Sequence, residues 1–249
     1  MSVTLHKSFL MNDYEELVST ELKTWQKKML SNPSFVNRLA KRMQDRINRY
    51  IPEKLHKALT TTIKQMVRTV LFGSGLTTDS ARKEGSLELR EAVVREKINF
   101  YRKTAAIEGG VTGAGGILMG LADFPLLLGV KLKMLFDIAS VYGFNAGDYK
   151  ERLYLLHIFQ LAFSSQEQRR KVYLRMIDWD DKKFPEDINQ FDWRTFQQEY
   201  RDYIDLAKLA QLIPVIGAPV GFVVNYRLLK KLGDTAIFSY RMRWQKTGH

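Results

Sequence analysis

Apolar residues recur along most of this chain at the three- and four-residue spacing of amphipathic helices, and alternating β-branched runs are scarce. We therefore predict an all-α protein, a multi-helix bundle that forms a single domain over residues 1–249. The spacing predicts helices over 12–30, 34–50, 53–71, 85–107, 151–163 and 166–176, a helix from Pro125 to Gly143, and a last helical hairpin over about 194–244. Gly, Ser and Thr residues at 72–80 indicate a loop.

Two glycine-rich apolar segments interrupt this pattern. One reads EGGVTGAGGILMGLADFP over 108–125, and the other reads LIPVIGAPVGFVVN over 212–225. The pairs Gly116/Gly120 and Gly217/Gly221 have the four-residue spacing that lets another helix backbone approach closely. Each glycine inside a helix costs about 0.5–1 kcal/mol relative to alanine. Tight packing would offset that cost, so we predict two glycine-rich helical hairpins packed at the centre of the bundle.

A phosphate-binding loop is a poor interpretation of the first segment. Gly110 and Gly115 have the spacing of a P-loop, but Gly116 and Ile117 stand where Lys and Ser or Thr are required. The third glycine of a dinucleotide pattern would fall at Leu118. We expect no bound nucleotide.

Each segment is also too short for a simple membrane span. The uncharged runs cover 111–122 and 212–224, and a helix of that length reaches only about 20 Å. The hydrocarbon core of a bilayer is about 30 Å thick. A buried core helix, a re-entrant segment and a shallow interfacial hairpin all fit, and the choice between them stays open. Asp123, just before Phe124 and Pro125, is expected to cap the helix that follows.

The formal net charge of +12 is unevenly distributed. Residues 1–103 carry a surplus of nine positive charges and residues 205–249 a surplus of five, whereas 104–143 and 144–204 are each −1. Such a field attracts an anionic membrane, a nucleic acid or an acidic partner. No helix-turn-helix, zinc or RNA-binding pattern accompanies the charge, so we expect no nucleic-acid partner. An acidic, exposed loop is predicted over 178–193.

Four arginines flank the apolar face of the predicted helix 34–50. Long basic side chains beside an apolar stripe can lie at a lipid interface, although they can equally rim the core of a soluble helix. We regard them as a basic interfacial flank: Arg38, Arg42, Arg46 and Arg49.

Groups that could carry catalysis are scattered. Glu108 and Asp123 lie in apolar surroundings, where burial raises a carboxyl pKa, but their spacing fixes no geometry. His157, within LLHIFQL, is more typical of a core histidine. There is no cysteine, no His-x-x-x-His pair and no Gly-x-Ser-x-Gly. We expect no catalytic residue, cofactor or metal. A soluble hydrolase or a hydrophobic-ligand-binding helical protein is the alternative, with Glu108, Asp123 and Asn225 as residues to mutate.

Two stretches resemble the EcsC family. The first is the glycine segment ending in GLADFP, followed by VYGF and ERLYLL; the second is LAQLIPVIGAPVGFVVNYRLLKKLGDTAIFSYRMRW. The resemblance covers most of the chain. The residues that carry it are Gly120, Asp123, Pro125, Tyr142, Gly143, Glu151, Pro214, Gly217, Gly221, Asn225, Ala236, Arg241 and Arg243.

The family is named for a bacterial protein linked to an ABC-type export system. The resemblance implies an all-α, cytoplasmic accessory protein, peripheral at the inner face of the membrane, without a defined activity. Its partner is then an anionic membrane surface or a membrane protein complex. Candidate ligand or membrane contacts are Glu108, Gly113, Gly120, Asp123, Pro125, Pro214, Gly217, Gly221, Asn225, Arg241 and Arg243.

Overall fold

The computed structural model describes residues 13–31, 61, 65, 68–70, 81, 84–112, 116–164, 166–184 and 217–247. Of residues 106–112, 116–127, 166–167, 217–225 and 247 it describes the backbone alone. These ranges form an all-α bundle, which confirms the predicted fold class. Its helices are α1 (Asp13–Leu30), α2 (Leu87–Thr112), α3 (Gly116–Tyr142), α4 (Tyr149–Phe163), α5 (Gln166–Met176) and α6 (Gly217–Thr247).

The long helices α2 and α6 are antiparallel neighbours. The Arg90 guanidinium lies 5.0 Å from the Trp244 ring at one end, and that of Arg102 lies 3.8 Å from the Tyr226 ring at the other. Helix α3 returns beside α2, since the Tyr101 hydroxyl donates to Asp137 at 2.6 Å. Helix α6 therefore packs along α2 while α3, α4 and α1 surround the pair.

The core lies where α4 meets α6, and α4 is almost entirely buried. Twelve of its residues are buried, including Glu151, His157 and Gln160. His157 places Nδ1 2.8 Å from the Leu153 carbonyl oxygen, as expected for a core histidine. This burial explains why the sequence of α4 is apolar on all sides rather than amphipathic.

Helix α1 is anchored by one aromatic side chain. The Trp25 ring stacks on Phe238 of α6 at 5.2 Å between centroids and meets Tyr173 of α5 edge-on at 5.7 Å. Val18 and Leu22 are each 1% exposed. The N-terminal helix is thus an integral layer of the bundle.

The helix through Pro125 corrects one expectation. Asp123 does not cap a new helix, because α3 begins at Gly116 and continues through Pro125 to Tyr142. Proline lacks an amide hydrogen, so the carbonyl of Leu121 receives no bond from position 125. Helix α2 also extends five residues beyond the predicted end at 107, into the glycine segment.

The end of α3 and the following turn agree with the sequence. Gly143 has a φ of 95°, which glycine adopts without strain and which is typical of a helix C-terminus. The Asn145 carbonyl accepts a hydrogen bond from the Asp148 amide at 3.0 Å, closing the predicted turn. The predicted bounds of α5 are confirmed, and those of α1 differ by one residue.

Other predictions fall partly or wholly outside the described residues. These include the helix 34–50, most of 53–71, the loop 72–80, and residues 185–216. In the described part of the predicted acidic loop, Asp178 and Asp181 are exposed and Trp179 is 2% exposed. The packing of two glycine-rich hairpins at the centre of the bundle stays a prediction, because the glycine segments are described by their backbone only.

The described glycines do identify one close helix crossing. A Cβ placed on Gly233 of α6 would lie 2.7–2.9 Å from three atoms of the Ile98 side chain on α2. A glycine at this position is what lets α2 and α6 approach closely. Among the described helices, none combines the length and the apolar character needed to cross a membrane.

Candidate functional site

A buried arginine connects three helices at one side of α6. Arg241 is 2% exposed and donates from Nε and Nη2 to the two carboxylate oxygens of Glu91, both at 2.6 Å. Its Nη1 donates to Glu21 of α1, also at 2.6 Å. The hydroxyls of Tyr14 and Tyr142 donate to Glu91 at 2.6 and 3.3 Å. We call this group the Glu91 cluster.

The opposite charges of the Glu91 cluster stabilise one another. Burial lowers the pKa of Arg241, but its hydrogen bonds to Glu91 and Glu21 outweigh this effect and raise that pKa above its ordinary value. The pKa of Tyr142 is raised well above 10.0, first by burial and then by the negative charge of Glu91. Arg241 therefore stays cationic and Tyr142 stays neutral at physiological pH.

A second arginine forms ion pairs on the other side of α6. Arg243 donates from Nη1 to Glu151 at 2.6 Å, and from Nη2 and Nε to Asp180 at 2.6 and 2.8 Å. The Tyr240 hydroxyl donates to Glu151 at 2.5 Å. The Arg243 guanidinium also lies 3.7 Å from the Phe144 ring centroid. We call this group the Glu151 cluster.

Burial dominates the ionisation of the Glu151 cluster. It raises the pKa of Glu151, although the positive charge of Arg243 and the hydrogen bonds from Tyr240 and Arg243 oppose it. It also raises the pKa values of Tyr154 and Tyr240 above 10.0. The carboxylate oxygens of both clusters are occupied by strong donors, so these acids are built as structural ion-pair partners.

Arg241 and Arg243 are only two residues apart but belong to different clusters because of the helical period. Side chains at i and i+2 point about 200° apart around a helix. Arg241 accordingly faces α1 and α2, whereas Arg243 faces α4 and the turn at Asp180. Tyr240 shares the face of Arg243, three residues along, and stacks on Tyr142 at 5.0 Å between centroids.

The antiparallel packing separates exposed charges toward two ends of the bundle. Arg169 donates to the Lys28 carbonyl at 3.1 Å, which places the start of α5 beside the end of α1. Arg102 packs on Tyr226, which places the end of α2 beside the first turns of α6. We call this end the basic pole. Its exposed cations are Lys27, Lys28, Lys103, Arg170, Lys171, Arg227, Lys230 and Lys231.

The opposite end, the acidic pole, contains the two arginine clusters. Its exposed acids are Asp13, Glu16, Glu84, Glu88, Asp148, Asp178 and Asp181, partly offset by the exposed cations Arg68, Lys183 and Lys246. The backbones of α2 after residue 105, of the first turns of α3 and of the start of α6 all extend to the basic pole. The glycine-rich helix ends therefore extend beyond Lys103 of α2 and Arg227 of α6, away from the arginine clusters.

The structure separates the predicted site residues into two groups. Arg241 and Arg243 belong to the buried clusters at the acidic pole. Glu108, Gly120, Asp123, Pro125, Gly217, Gly221 and Asn225 lie on helix segments of the basic-pole side that are described by their backbone alone. Gly113, Pro214, Arg38, Arg42, Arg46 and Arg49 lie outside the described residues.

Among the acidic partners, Glu151 is one of the residues that carry the family resemblance, whereas sequence reasoning missed Glu21, Glu91 and Asp180. Glu91 is 0% exposed, yet it occurs in LELREAVVREK, a charge-rich helix whose pattern is typical of a solvent-facing surface. The sequence did contain one indication: Glu91 lies three residues before Val94 and seven before Ile98, a spacing that places it on the buried face of α2. Within the described residues, no three His, Asp or Glu side chains are grouped to hold a metal ion.

Comparison with known proteins places these features in one family. The family model described as the EcsC protein family matches residues 16–244, which include both arginine clusters apart from Tyr14. This chain belongs to the EcsC protein family. It is 43% identical over 229 residues to Protein EcsC of Bacillus subtilis (strain 168), covering 92% of this chain and 95% of that protein.

A second, less similar protein comes from the same organism. Uncharacterized protein YdbA of Bacillus subtilis (strain 168) is 30% identical over 158 residues, covering 63% of this chain and 57% of that protein. No solved structure matches the chain. The resemblance that the sequence indicated is therefore confirmed at the level of the family.

Proposed function

We propose that this EcsC-family protein is a non-enzymatic, peripheral accessory protein that docks on an anionic membrane surface by its basic pole. In this proposal it acts at the cytoplasmic face, in company with a membrane protein complex such as an ABC-type export system. The observation that carries the proposal is the convergence of exposed cations and glycine-rich helix ends at one pole of the bundle.

The charge separation gives the docking a direction. A Lys or Arg side chain near an anionic bilayer contributes about 1 kcal/mol, and this attraction decays within a Debye length. The basic pole carries eight exposed cations among its described residues, and Asp234 there is paired with Lys230 at 2.5 Å. The acidic pole would be repelled by the same surface. The bundle thus approaches the membrane with its helix axes steeply inclined and the glycine-rich ends leading.

The apolar segments support the same orientation. The uncharged runs 111–122 and 212–224 are too short to span a bilayer but long enough to reach into its interfacial layer. They continue from helix ends that lie at the basic pole. Electrostatic approach followed by shallow insertion would use both features.

Co-sedimentation with lipid vesicles tests this proposal. The wild-type protein is expected to bind vesicles containing phosphatidylglycerol and not vesicles of phosphatidylcholine alone. The double variant Lys103→Glu/Arg227→Glu reverses two exposed cations of the basic pole and should lose this binding. The matched control Arg68→Glu/Lys183→Glu makes the same change in net charge at the acidic pole and should retain it.

Each outcome has a definite meaning. Binding that salt abolishes indicates docking by charge, and binding that resists salt indicates insertion of the glycine-rich ends. Equal loss in both double variants would show that net charge matters rather than the basic pole, which overturns the proposed orientation. Absence of wild-type binding to any vesicle, or tighter binding to duplex DNA, would overturn membrane docking itself.

A further inference from the structure

A half-open cleft of about 530 Å³ lies between α1, α2 and α6, beside the Glu91 cluster. Its volume falls within the range of about 300–1,000 Å³ that is typical of small-molecule sites. Neither the family assignment nor the docking proposal gives this cleft a role. Its chemistry is set by one apolar wall and one charged floor.

The apolar wall is built from α1 and α6. Trp25 and Phe238 stack nearly parallel, with an interplanar angle of 9°, and both are only partly buried. Ile237 continues the wall toward the core. Because the two rings stack on each other and the Arg241 guanidinium lies 5.1 Å from the Phe238 ring centroid, an apolar ligand would contact the exposed parts of the rings rather than two open ring faces.

The charged floor has an excess of cations. Lys28, Arg95 and Lys230 line the cleft together with Arg241, whereas its acids are Glu21 and Asp234. The Arg95 side chain is 54% exposed and lines the cleft, while its Nη2 also donates to Glu91 at 3.3 Å. Four cations against Glu21, Asp234 and the buried Glu91 behind Arg241 leave one net positive charge, which favours a ligand with a negative group.

Arg241 shows where that negative group would bind. The two carboxylate oxygens of Glu91, which is 0% exposed, occupy its Nε and Nη2. Its Nη1 points to the cleft and is hydrogen-bonded to Glu21, whose side chain is 45% exposed. The protein thus already holds one oxyanion on the cleft side of Arg241, and that oxyanion is the exposed, displaceable partner.

We propose that this cleft binds a small amphiphile with one anionic head group, a phosphate or a carboxylate. The head group replaces the Glu21 carboxylate on Nη1 of Arg241 and is also held by Arg95 and Lys28. The apolar part lies on Trp25 and Phe238. Glu21 then acts as an internal competitor that leaves Arg241 paired when the cleft is empty. This proposal rests on the cleft alone and does not require membrane docking.

Isothermal titration with monomeric dodecyl phosphate tests the site. The wild-type protein should bind this probe, bind inorganic phosphate more weakly, and show no saturable binding of dodecyl maltoside, which has the same chain without the charge. Glu21→Gln removes the competing charge and should tighten binding about fivefold, equivalent to about 1 kcal/mol. Glu16→Gln makes the same charge change on α1 outside the cleft and should leave affinity unaltered. Arg95→Gln should weaken binding.

The affinity of the Glu21→Gln variant for dodecyl phosphate decides whether the proposal holds. Weaker or unchanged binding in that variant, or equal binding of dodecyl maltoside, would overturn the proposal. The double variant Lys103→Glu/Arg227→Glu should still bind dodecyl phosphate, so failure of the cleft and failure of membrane docking are distinguished. Vesicles containing phosphatidate separate the two sources of the head group. If Glu21→Gln raises the affinity for these vesicles as well as for dodecyl phosphate in solution, the cleft also accepts bilayer lipids. If it raises the affinity in solution alone, the cleft takes the free amphiphile.

Discussion

Arg241 and Arg243 lie two residues apart on α6 and bind carboxylates on opposite sides of that helix. Arg241 lies 2.6 Å from Glu91 of α2, and Arg243 lies 2.6 Å from Glu151 of α4. One short stretch of sequence therefore fastens α6 to both halves of the bundle. The opposite end of the same helix begins at Gly217, at the basic pole. Near its C-terminal end, α6 is therefore held by ion pairs on two sides, and its other end begins in the glycine-rich apolar segment.

Removal of one partner from the buried Glu91–Arg241 pair should destabilise the fold strongly, because it leaves an uncompensated buried charge. Glu91→Gln leaves Arg241 buried without its bidentate partner and should lower the free energy of unfolding by about 3–5 kcal/mol. Urea unfolding followed by circular dichroism measures this change. Glu88→Gln, on the exposed side of the same helix, should change it by less than about 0.5 kcal/mol.

A double variant separates the pair from its surroundings. Glu91→Leu with Arg241→Met replaces both charges by apolar groups and should recover most of the stability lost in either single variant. A double variant as unstable as the sum of the two single ones would contradict the view that an uncompensated charge causes the loss.

Gly233 and Gly129 should respond in opposite directions to alanine. A Cβ at Gly233 would lie 2.7–2.9 Å from Ile98, so Gly233→Ala should destabilise the protein by about 1–3 kcal/mol through overpacking. No atom of the described residues lies within 4 Å of a Cβ at Gly129, so Gly129→Ala should stabilise it by about 0.5–1 kcal/mol. Thermal unfolding measures both. Since Ile98→Ala removes all three of these opposing atoms, a Gly233→Ala cost that is unchanged in the Ile98→Ala background would exclude this crossing as the cause.

The sequence predicts the helices well because their signals are local. Periodicity and capping set the bounds of α1 and α5, and Gly143 marks the end of α3. Pro125 misled the prediction because a proline usually ends a helix, whereas α3 absorbs it and continues. Whether a helix continues through a proline depends on the rest of the fold, and no local pattern reveals it.

The arginine clusters depend on contacts between residues far apart in the chain. Glu91 and Arg241 are separated by 150 positions, and Glu151 and Arg243 by 92. Spacing cannot pair such residues, and a charged side chain on a helix is usually solvated. Arg241 and Arg243 were singled out by the family resemblance alone. The opposed charges of the two poles likewise emerge only when the helices are packed antiparallel.

Trp25 should determine whether α1 stays attached to the bundle. Trp25→Ala removes the ring that lies against both Phe238 and Tyr173 and should cost about 3 kcal/mol, the low end of the range for tryptophan because this ring is partly exposed. Hydrogen exchange should show faster exchange in α1 than in α4. Leu17→Ala, at a position 54% exposed, is the matched control and should leave α1 protected. Equal acceleration in α1 and α4 would mean that α1 unfolds only with the whole bundle.

Alkaline pH should destabilise the fold through its buried tyrosines. The pKa values of Tyr142, Tyr154 and Tyr240 are raised above 10.0 in the folded protein, chiefly by burial. Above pH 10 the unfolded chain loses these protons while the folded chain keeps them, so the stability that is complete below pH 10 falls as the pH rises further. Each such tyrosine contributes a slope of about 1.4 kcal/mol per pH unit.

Tyr142→Phe tests this assignment. The variant keeps the ring that stacks on Tyr240 and loses only the hydroxyl, whose bond to Glu91 is long at 3.3 Å. In urea unfolding between pH 9 and pH 11, the free energy of unfolding should therefore fall less steeply with pH than in the wild type. The difference in slope should equal the contribution of about one tyrosine. An unchanged slope would mean that the Tyr142 hydroxyl ionises equally in both states, and phenolate absorbance of the folded protein would show that ionisation directly.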